Sequence, residues 1–257
     1  MILQDTLLNL DQKDNKLLLI VEGNIGAGKS TFLRLIGKFL QAQLVYEPHT
    51  RWQNINGENL LDHFYKDTQR WAYTFQSYAF LTRVIEQREH ARINTKPLQV
   101  LERSVYSDRY IFAKNAHELG FMSTLEWNLY KEWFSWFIDN YAQSPSAFIY
   151  LQTDPEVCYR RLIKRNRLEE NGVGLEYIKQ LHEKHEQWLV HKEFVSPSIA
   201  KTPVLVLECN EDFEESIKLQ EGHVQSIANF LFERFNLAPS QSLLNSPTTQ
   251  SFIKSSF

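Results

Sequence analysis

The sequence predicts an α/β domain with a parallel central sheet and helices on both of its faces. First, the 257 residues contain several short apolar runs, separated by stretches long enough for helices. Second, the runs are apolar on both faces, as in strands that helices cover from each side. Strands alternating with helices imply crossover units and therefore a parallel sheet. The predicted strands are Leu17–Val21, Leu44–Tyr46, Leu98–Leu101, Phe148–Leu151 and Val204–Leu207.

Two helices can be placed from local patterns. Within Thr124–Tyr141, six aromatic or aliphatic side chains repeat at helical spacing on one face, while Trp133 and Trp136 lie off that stripe. The stripe is explained by core packing. The additional rings leave a helix–helix interface between two copies of the chain as the alternative. A second helix is predicted from Asp154, as the cap, with Pro155 in its first position.

Composition and charge narrow the class of protein. Lys and Arg total 28 against 31 Asp and Glu, a net charge of −3, so the chain lacks the basic excess typical of nucleic-acid binding. No apolar run reaches the roughly 18 residues of a membrane span. The only cysteines, Cys158 and Cys209, are too few for a disulfide framework and fit a reducing compartment. We therefore expect a cytoplasmic protein that binds neither nucleic acid nor membrane.

The chain is divided into three predicted parts. Residues 1–16 are acidic, unlike a signal or transit peptide, and are interpreted as a lead-in. Residues 17–237 form the predicted domain. Residues 238–257 are rich in serine, show no periodicity, and are expected to be a mobile tail.

The segment after the first strand contains a phosphate-binding pattern. Gly23-x-x-x-x-Gly28-Lys29-Ser30 follows the apolar strand directly and precedes a helix-like run, Phe32–Leu40. This is a P-loop in its required context. Backbone amides would surround the phosphates, Lys29 would reach the β- and γ-phosphates, and Ser30 could bind Mg²⁺. The sequence therefore predicts a P-loop protein that binds a nucleoside triphosphate.

Acidic and basic side chains near this loop suggest phosphoryl transfer. Glu47 and Glu102 each follow a predicted strand, and in open parallel sheets the ligand lies beyond the carboxyl ends of the strands. One carboxylate could hold Mg²⁺ and the other could accept the proton of an attacking hydroxyl. Arg161, Lys164, Arg165 and Arg167 form a basic cluster, and its arginines could close over the transferred group. A different metal site at His182 and His185 is disfavoured, because their spacing is three rather than four.

Five motifs together resemble the deoxynucleoside kinase family, and specifically its deoxycytidine and deoxyguanosine kinase branch. They occur in the family's order between Leu17 and Phe213. The motifs are Glu22–Thr31, Glu47-Pro48 with Arg51-Trp52, Thr74–Tyr78, Glu102–Arg109 and Arg165–Glu170. The resemblance implies a P-loop kinase fold with a five-stranded parallel sheet, usually as a homodimer. It also implies transfer of the ATP γ-phosphate to the 5′-hydroxyl of a deoxynucleoside.

The resemblance also implies roles for individual residues. Glu47, Glu102, Arg103 and Lys29 would be catalytic, although which glutamate is the general base stays open; Ser30 and Glu102 would hold Mg²⁺. Tyr65 and Glu170 would contact the sugar. Trp52 and Phe112 would flank the base, with Gln76, Arg83 and Asp108 reading its edge. ATP would contact the P-loop, the three lid arginines and the turn that borders adenine, through Gly23, Asn24, Ile25, Gly26, Ala27, Gly28, Lys29, Ser30, Thr31, Arg161, Arg165, Arg167, Glu211, Asp212 and Phe213.

The base and the regulation follow from the same resemblance. A buried Arg83–Asp108 pair would favour deoxyadenosine, deoxyguanosine or deoxycytidine over thymidine, whose 5-methyl group needs room. The alternative explanation of this pair is a structural salt bridge. Feedback inhibition by a deoxynucleoside triphosphate is expected. The segment from Trp52 to Tyr65 is shorter than in deoxycytidine kinase, and the serine-rich tail has no counterpart. Two alternatives remain, a P-loop kinase for another small acceptor such as a nucleoside monophosphate, and a non-catalytic subunit on this fold.

Overall fold

The computed structural model of the protein describes residues 16–236. Its five strands form one fully parallel sheet in the order β2-β3-β1-β4-β5. This agrees with the predicted α/β architecture. Apart from Lys16, the predicted lead-in lies outside the described residues, as does the serine-rich tail. The strands are β1 (Leu17–Glu22), β2 (Ala42–Val45), β3 (Leu98–Glu102), β4 (Ala147–Gln152) and β5 (Val204–Glu208).

Helices connect and cover these strands. The segment α5 joins three consecutive helical pieces, of which the middle one is a π-helix, and α8 continues into a second π-helical turn, Glu186–Val190. A short 3₁₀ turn, Leu168–Gly172, follows α7. The helices are α1 (Lys29–Phe39), α2 (His49–Gln53), α3 (Leu60–Lys66), α4 (Thr68–Ile93), α5 (Val105–Ser107, Asp108–Ala113 and Lys114–Glu118), α6 (Thr124–Tyr141), α7 (Pro155–Arg165), α8 (Leu175–His185), α9 (Pro197–Lys201) and α10 (Ile217–Phe235).

The three central strands are covered on both faces. Every residue of β3 is buried, as are five of six residues in each of β1 and β4. Successive side chains of a strand point to opposite faces, so continuous burial means that both faces are packed. At the sheet edge, β5 exposes Val206 by 41%. The apolar runs that predicted β1, β3 and β4 therefore form the core of the sheet, whereas most of β5 is half-buried or exposed.

Strand register brings the ends of three strands together. Val21 of β1 pairs with Glu102 of β3, and Val45 of β2 pairs with Leu101. The loop after β1 therefore starts beside Glu102, and the chain leaving β2 passes the same edge. Parallel strands place their carboxyl ends on one side of the sheet, which is where ligands bind in such folds.

Helix α6 has the bounds that its periodicity predicts. Ser123 caps it, and Glu126 returns the interaction to the Ser123 backbone amide in a capping box. Tyr130 and Phe134 are buried, whereas Trp133 and Trp136 are exposed by 55% and 48%. Core packing thus explains the stripe, and the two tryptophans form a separate exposed surface.

Two local predictions are wrong. Tyr46 does not end the second strand, which stops at Val45, because the chain turns away towards Glu47 and Pro48. Asp154 occupies the cap position of α7 but makes no side-chain cap hydrogen bond. The carboxylate of Glu156 instead accepts from its own backbone amide, which lowers its pKa.

No helix within residues 16–236 has both the length and the hydropathy that a membrane span requires.

Candidate active site

The P-loop is shaped by glycines and anchored by an asparagine. Gly26 and Gly28 have φ angles of +84° and +91°, which favour glycine. A Cβ atom on Gly26 would lie 2.2 Å from the carbonyl oxygen of Cys158. The Asn24 side chain donates to the Ile178 carbonyl oxygen at 2.8 Å and accepts from the Ile25 amide at 2.8 Å. The loop is therefore held against α7 and α8, at the amino end of α1.

Lys29 is a buried amine that points back along the loop. Its Nζ donates to the Asn24 carbonyl oxygen at 2.7 Å. Burial lowers the pKa of Lys29 from 10.5 to about 7, with repulsion by Arg103 in the same direction and attraction by Glu47 and Glu102 opposing it. A phosphate beside Lys29 would favour its charged form. The side chain is thus suited to an anionic ligand.

Ser30 and Glu102 form a pair of oxygen ligands. The Ser30 hydroxyl donates to Glu102 Oε1 at 2.6 Å, across the neighbouring ends of α1 and β3. A hydroxyl and a carboxylate are hard oxygen donors of the kind that Mg²⁺ prefers. The second oxygen of Glu102 accepts from the Glu47 backbone amide at 3.4 Å. The donor set fits the metal role predicted for both residues.

Glu47 lies in a strongly basic environment. Its Oε1 accepts from Arg83 and, at 3.1 Å, from Arg103. Its Oε2 lies 2.9 Å from His49 Nε2. Burial alone would raise the pKa of Glu47, but Arg103, Arg83 and His49 together hold it well below the ordinary value of 4.5. Glu47 is therefore a carboxylate at neutral pH.

Arg103 connects Glu47 to the P-loop. Its backbone adopts a φ of +59°, which is unusual for a residue with a side chain. One guanidinium nitrogen bonds Glu47, and the other donates to the Gly23 carbonyl oxygen at 3.3 Å. The guanidinium group lies over the Phe112 ring, 4.7 Å from its centroid. The unusual backbone conformation after β3 thus directs the Arg103 side chain both to Glu47 and to the P-loop.

An aromatic chamber with a buried ion pair lies on the far side of Glu47. Arg83 donates through Nε to both oxygens of Asp108, at 2.9 and 2.8 Å. Its Nη1 is buried and has no hydrogen-bond partner among the described residues. The Trp52 ring lies 5.2 Å from the Arg83 guanidinium, and Gln76 is 98% buried nearby on α4. The chamber therefore offers flat apolar surfaces together with donors and acceptors.

The lid, residues 161–170, spans the last turn of α7 and the chain after it and lines the cavity beside the P-loop. Arg165 pairs with Glu170 Oε2 at 2.6 Å, and Arg167 lies 3.5 Å from Glu170 Oε1. Arg161 donates to three backbone carbonyl oxygens of the 209–211 turn. Burial, with Tyr177 and Glu170 adding to it, raises the pKa of Tyr65 well above 10.0, so its hydroxyl stays protonated. The lid is thus held by ion pairs at one end and by a turn at the other.

These residues line one cavity of about 490 Å³. Among the predicted residues, Gly23, Asn24, Ala27 and Glu211 do not line it: the first three support the loop from behind, and Glu211 contributes its carbonyl oxygen to Arg161. The predicted residues that line it are Ile25, Gly26, Gly28, Lys29, Ser30, Thr31, Glu47, Trp52, Tyr65, Gln76, Arg83, Glu102, Arg103, Asp108, Phe112, Arg161, Arg165, Arg167, Glu170, Asp212 and Phe213.

Several lining residues were not expected from the sequence. Ala79 lies three residues after Gln76 and four residues after Phe75 on α4, so helical spacing could have found Ala79 from Gln76 and then Phe75 from Ala79. Tyr177 comes from α8, which no motif connects to the site. His49 lies two residues after Glu47 and carried no recognisable signal.

The fold and the site define a P-loop kinase. The sequence matches the deoxynucleoside kinase family over residues 19–232. It is 39% identical over 237 residues to human deoxycytidine kinase, covering 82% of this chain and 89% of that protein. It is 41% identical over 235 residues to chicken deoxycytidine kinase 2, with 82% and 89% covered. It is 40% identical over 227 residues to the mitochondrial deoxyguanosine kinase of Xenopus laevis, with 77% and 83% covered.

The chain belongs to the deoxynucleoside kinase family. It is accordingly a phosphotransferase of the nucleoside kinase class, and the resemblance found in its five motifs is confirmed.

Proposed function

We propose that the protein transfers the γ-phosphate of ATP to the 5′-hydroxyl of a deoxynucleoside, as a step of nucleotide salvage. The observation that supports this most is the arrangement around Glu47. On one side of it lie Lys29 and the Ser30–Glu102 pair, which suit phosphates and their metal. On the other side lies the aromatic chamber with the Arg83–Asp108 pair. Its place between these two groups of residues supports the proposal that Glu47 meets the attacking hydroxyl.

The reaction needs one bond formed, one broken and one proton moved. The 5′-oxygen bonds to the γ-phosphorus while that phosphorus separates from the β,γ-bridging oxygen, and ADP leaves. The hydroxyl proton passes to a carboxylate. Lys29, Arg103 and the lid arginines oppose the negative charge that spreads over the transferred group. Closure of the lid keeps water from replacing the substrate hydroxyl.

Ser30 and Glu102 are the residues that would hold Mg²⁺, which would neutralise phosphate charge when bound. The bond between them engages Oε1 of Glu102, and the other oxygen meets the Glu47 amide. This arrangement favours Glu102 for the metal and Glu47 for the hydroxyl. Replacing each by Gln separates the roles. Loss of Glu102 should raise the Mg²⁺ concentration needed for half-maximal rate, whereas loss of Glu47 should lower kcat at every Mg²⁺ concentration.

The sugar and base would occupy the chamber. Tyr65 and Glu170 are the proposed contacts of the 3′-hydroxyl, and both line the cavity. Trp52 and Phe112 would flank the base, with Gln76 and the Arg83–Asp108 pair at its edge. Because this pair is buried and charged, a base that offers it no matching hydrogen-bonding groups leaves polar atoms of the pair unsatisfied. Such a base should bind more weakly. We therefore propose a preference for purine deoxynucleosides or deoxycytidine over thymidine.

The base of ATP would lie near the turn at Asp212 and Phe213. Phe213 packs edge-on against Phe32 at 6.1 Å, and a Cβ atom on Gly28 would lie 3.0 Å from its ring. The turn is thus fixed directly to the P-loop. Its carbonyl oxygens at residues 209–211 bind Arg161, which joins it to the lid.

A four-substrate assay tests this function. ADP release is coupled to a spectroscopic readout, with Mg-ATP and each of the four common deoxynucleosides in turn. Turnover with at least one of them is expected, with the lowest kcat/KM for thymidine. Turnover with none would reject the proposal. Faster phosphorylation of a nucleoside monophosphate than of its nucleoside would favour the alternative acceptor.

We also propose a homodimer that uses the exposed face of α6. Trp133 and Trp136 are exposed there by 55% and 48%, beside Leu125 and Leu129, which are exposed by 69% and 39%. An apolar surface of this kind is typical of association sites. Sedimentation velocity should show a dimer for the wild type and a monomer for Trp133→Glu combined with Trp136→Glu. A wild-type monomer at micromolar concentration would contradict the proposal.

Feedback inhibition by a deoxynucleoside triphosphate is proposed from the same cavity, which joins a phosphate loop to a deoxynucleoside chamber. Such a ligand would place its base in the chamber and its phosphates on the loop. It should therefore compete with both substrates. Undiminished activity in excess triphosphate of the preferred base would contradict this.

The cytoplasm is the proposed compartment. Cys158 and Cys209 are both buried free thiols, a state that suits a reducing environment. Subcellular fractionation of the full chain tests the assignment, and recovery in an organelle fraction would overturn it.

A further inference from the structure

His49 contacts Oε2 of Glu47, the carboxylate oxygen that neither Arg83 nor Arg103 binds. Oε1 of Glu47 is bound by Arg83 and Arg103. Oε2 lies 2.9 Å from His49 Nε2 and has no other partner among the described residues. Two guanidinium donors reduce the basicity of Oε1. Oε2 is therefore the oxygen better placed to accept a substrate proton, and His49 determines how it is oriented.

The imidazole ring is fixed so that only Nε2 makes polar contacts. The ring meets Trp52 edge-on, with centroids 5.2 Å apart and planes at 84°. Trp52 is itself held by its Nε1, which donates to Thr82 Oγ1 at 2.9 Å. Nδ1 of His49 is buried and finds no hydrogen-bond partner in residues 16–236. Rotation of the ring is thus restricted, and Nε2 carries the function of the side chain.

The same nitrogen meets the lid. Nη1 of Arg167 lies 3.3 Å from His49 Nε2, and Arg167 also pairs with Glu170 at 3.5 Å. A ring nitrogen carries either a proton or a lone pair in its plane. A proton on Nε2 can be donated to Glu47 in a hydrogen bond, whereas a lone pair on Nε2 would face that carboxylate and repel it. The negative charge of Glu47 therefore favours a proton on Nε2, and the Arg167 nitrogen at 3.3 Å then packs against His49 as a neighbouring donor rather than as its hydrogen-bond partner.

We propose that His49 is a positioning residue that fixes the free oxygen of Glu47 and couples it to the lid arginine Arg167. The inference rests on the proposed function, in which Glu47 accepts the 5′-hydroxyl proton. With His49 in place, the position of Arg167 and the orientation of Oε2 depend on one another. Without it, Glu47 is held only through Oε1 and can rotate about that contact.

Two variants of His49 test the positioning role. His49→Leu removes the donor, and misorientation of a reacting group should lower kcat about tenfold to a hundredfold. His49→Gln keeps an N–H that can reach Oε2 and should restore most of that loss. KM for the deoxynucleoside should change little in either variant, because His49 does not contact the sugar or base in this account. Thermal unfolding of both variants verifies the fold.

A double-substitution cycle tests the coupling. Arg167→Ala should lower kcat strongly in the wild-type background and distinctly less in the His49→Leu background. Equal losses in both backgrounds, or equal kcat for His49→Leu and His49→Gln, would overturn the inference. If the wild type has no deoxynucleoside turnover, the proposed function fails instead.

Nitrogen NMR of the histidine side chains gives a readout that needs no turnover. The His49 signal is assigned by its absence in His49→Gln. We expect a proton on Nε2, hydrogen-bonded to a carboxylate. A ring without a proton on Nε2 would overturn the inference whatever the activity of the enzyme.

Discussion

Replacing Glu22 by Gln tests whether burial at the end of β1, directly before the P-loop, raises the pKa of this carboxyl group. Glu22 is the last residue of β1 and is completely buried. Its Oε1 accepts from the Ser104 hydroxyl at 2.6 Å, and its Oε2 has no hydrogen-bond partner within residues 16–236. Burial raises the pKa of Glu22 from 4.5 to about 7, although the Ser104 hydrogen bond, Arg103 and Arg83 oppose the shift. The folded protein therefore holds a proton here that the unfolded chain releases at lower pH.

The sign of the effect follows from proton linkage. Between pH 4.5 and about pH 7 the folded state binds more protons at Glu22 than the unfolded state, so stability falls as pH rises through this interval. Glutamine does not titrate. The stability of Glu22→Gln relative to wild type should therefore rise by on the order of 2 to 3 kcal/mol from about pH 5 to about pH 8.5.

Urea unfolding at a series of pH values measures this difference directly. Other titrating groups contribute to both proteins and cancel in the comparison. The same substitution at Glu183 of α8, which is exposed rather than buried, is the matched control. A pH-independent difference for Glu22→Gln, or one that falls as pH rises, would refute the reasoning.

Two further substitutions test the P-loop. Gly26→Ala forces a Cβ atom to 2.2 Å from the Cys158 carbonyl oxygen at a φ of +84°, so it should destabilise the fold by about 1–3 kcal/mol and weaken ATP binding. Gly174→Ala, where a Cβ atom meets nothing within 4 Å, is the control, and similar effects of both in thermal unfolding would contradict this explanation. Lys29→Ala should lower kcat by orders of magnitude while calorimetry still detects deoxynucleoside binding. Loss of both together would show that Lys29 supports the whole cavity.

The parts of the fold that the sequence predicts are those fixed by local pattern. Continuous apolar runs identify the buried strands because both faces of the sheet are covered. The P-loop is recognisable because its glycines meet conformational needs that few other residues can meet. The edge strand β2 was placed less well, since it begins at Ala42-Gln43, which form no apolar run.

The parts that could not be predicted depend on distant contacts. The positive φ of Arg103 is stabilised by its bonds to Glu47 and Gly23, which are remote in sequence. The π-helical turn Asp108–Ala113 carries Asp108 to Arg83 on another helix, and no local spacing signals it. His49 enters the site only because the chain turns back over Glu47. Tertiary packing therefore sets the geometry of the site, whereas motifs set its chemistry.

Transfer of labelled phosphate tests the central claim most directly. The protein is incubated with ATP labelled in its γ-phosphate and with the deoxynucleoside that gives most turnover, and the products are separated by chromatography. We expect the label in the deoxynucleoside 5′-monophosphate for the wild type, and at least a hundredfold less of it for Glu47→Gln, as is typical of losing a general base. Label found only in inorganic phosphate, or full transfer by Glu47→Gln, would contradict the account.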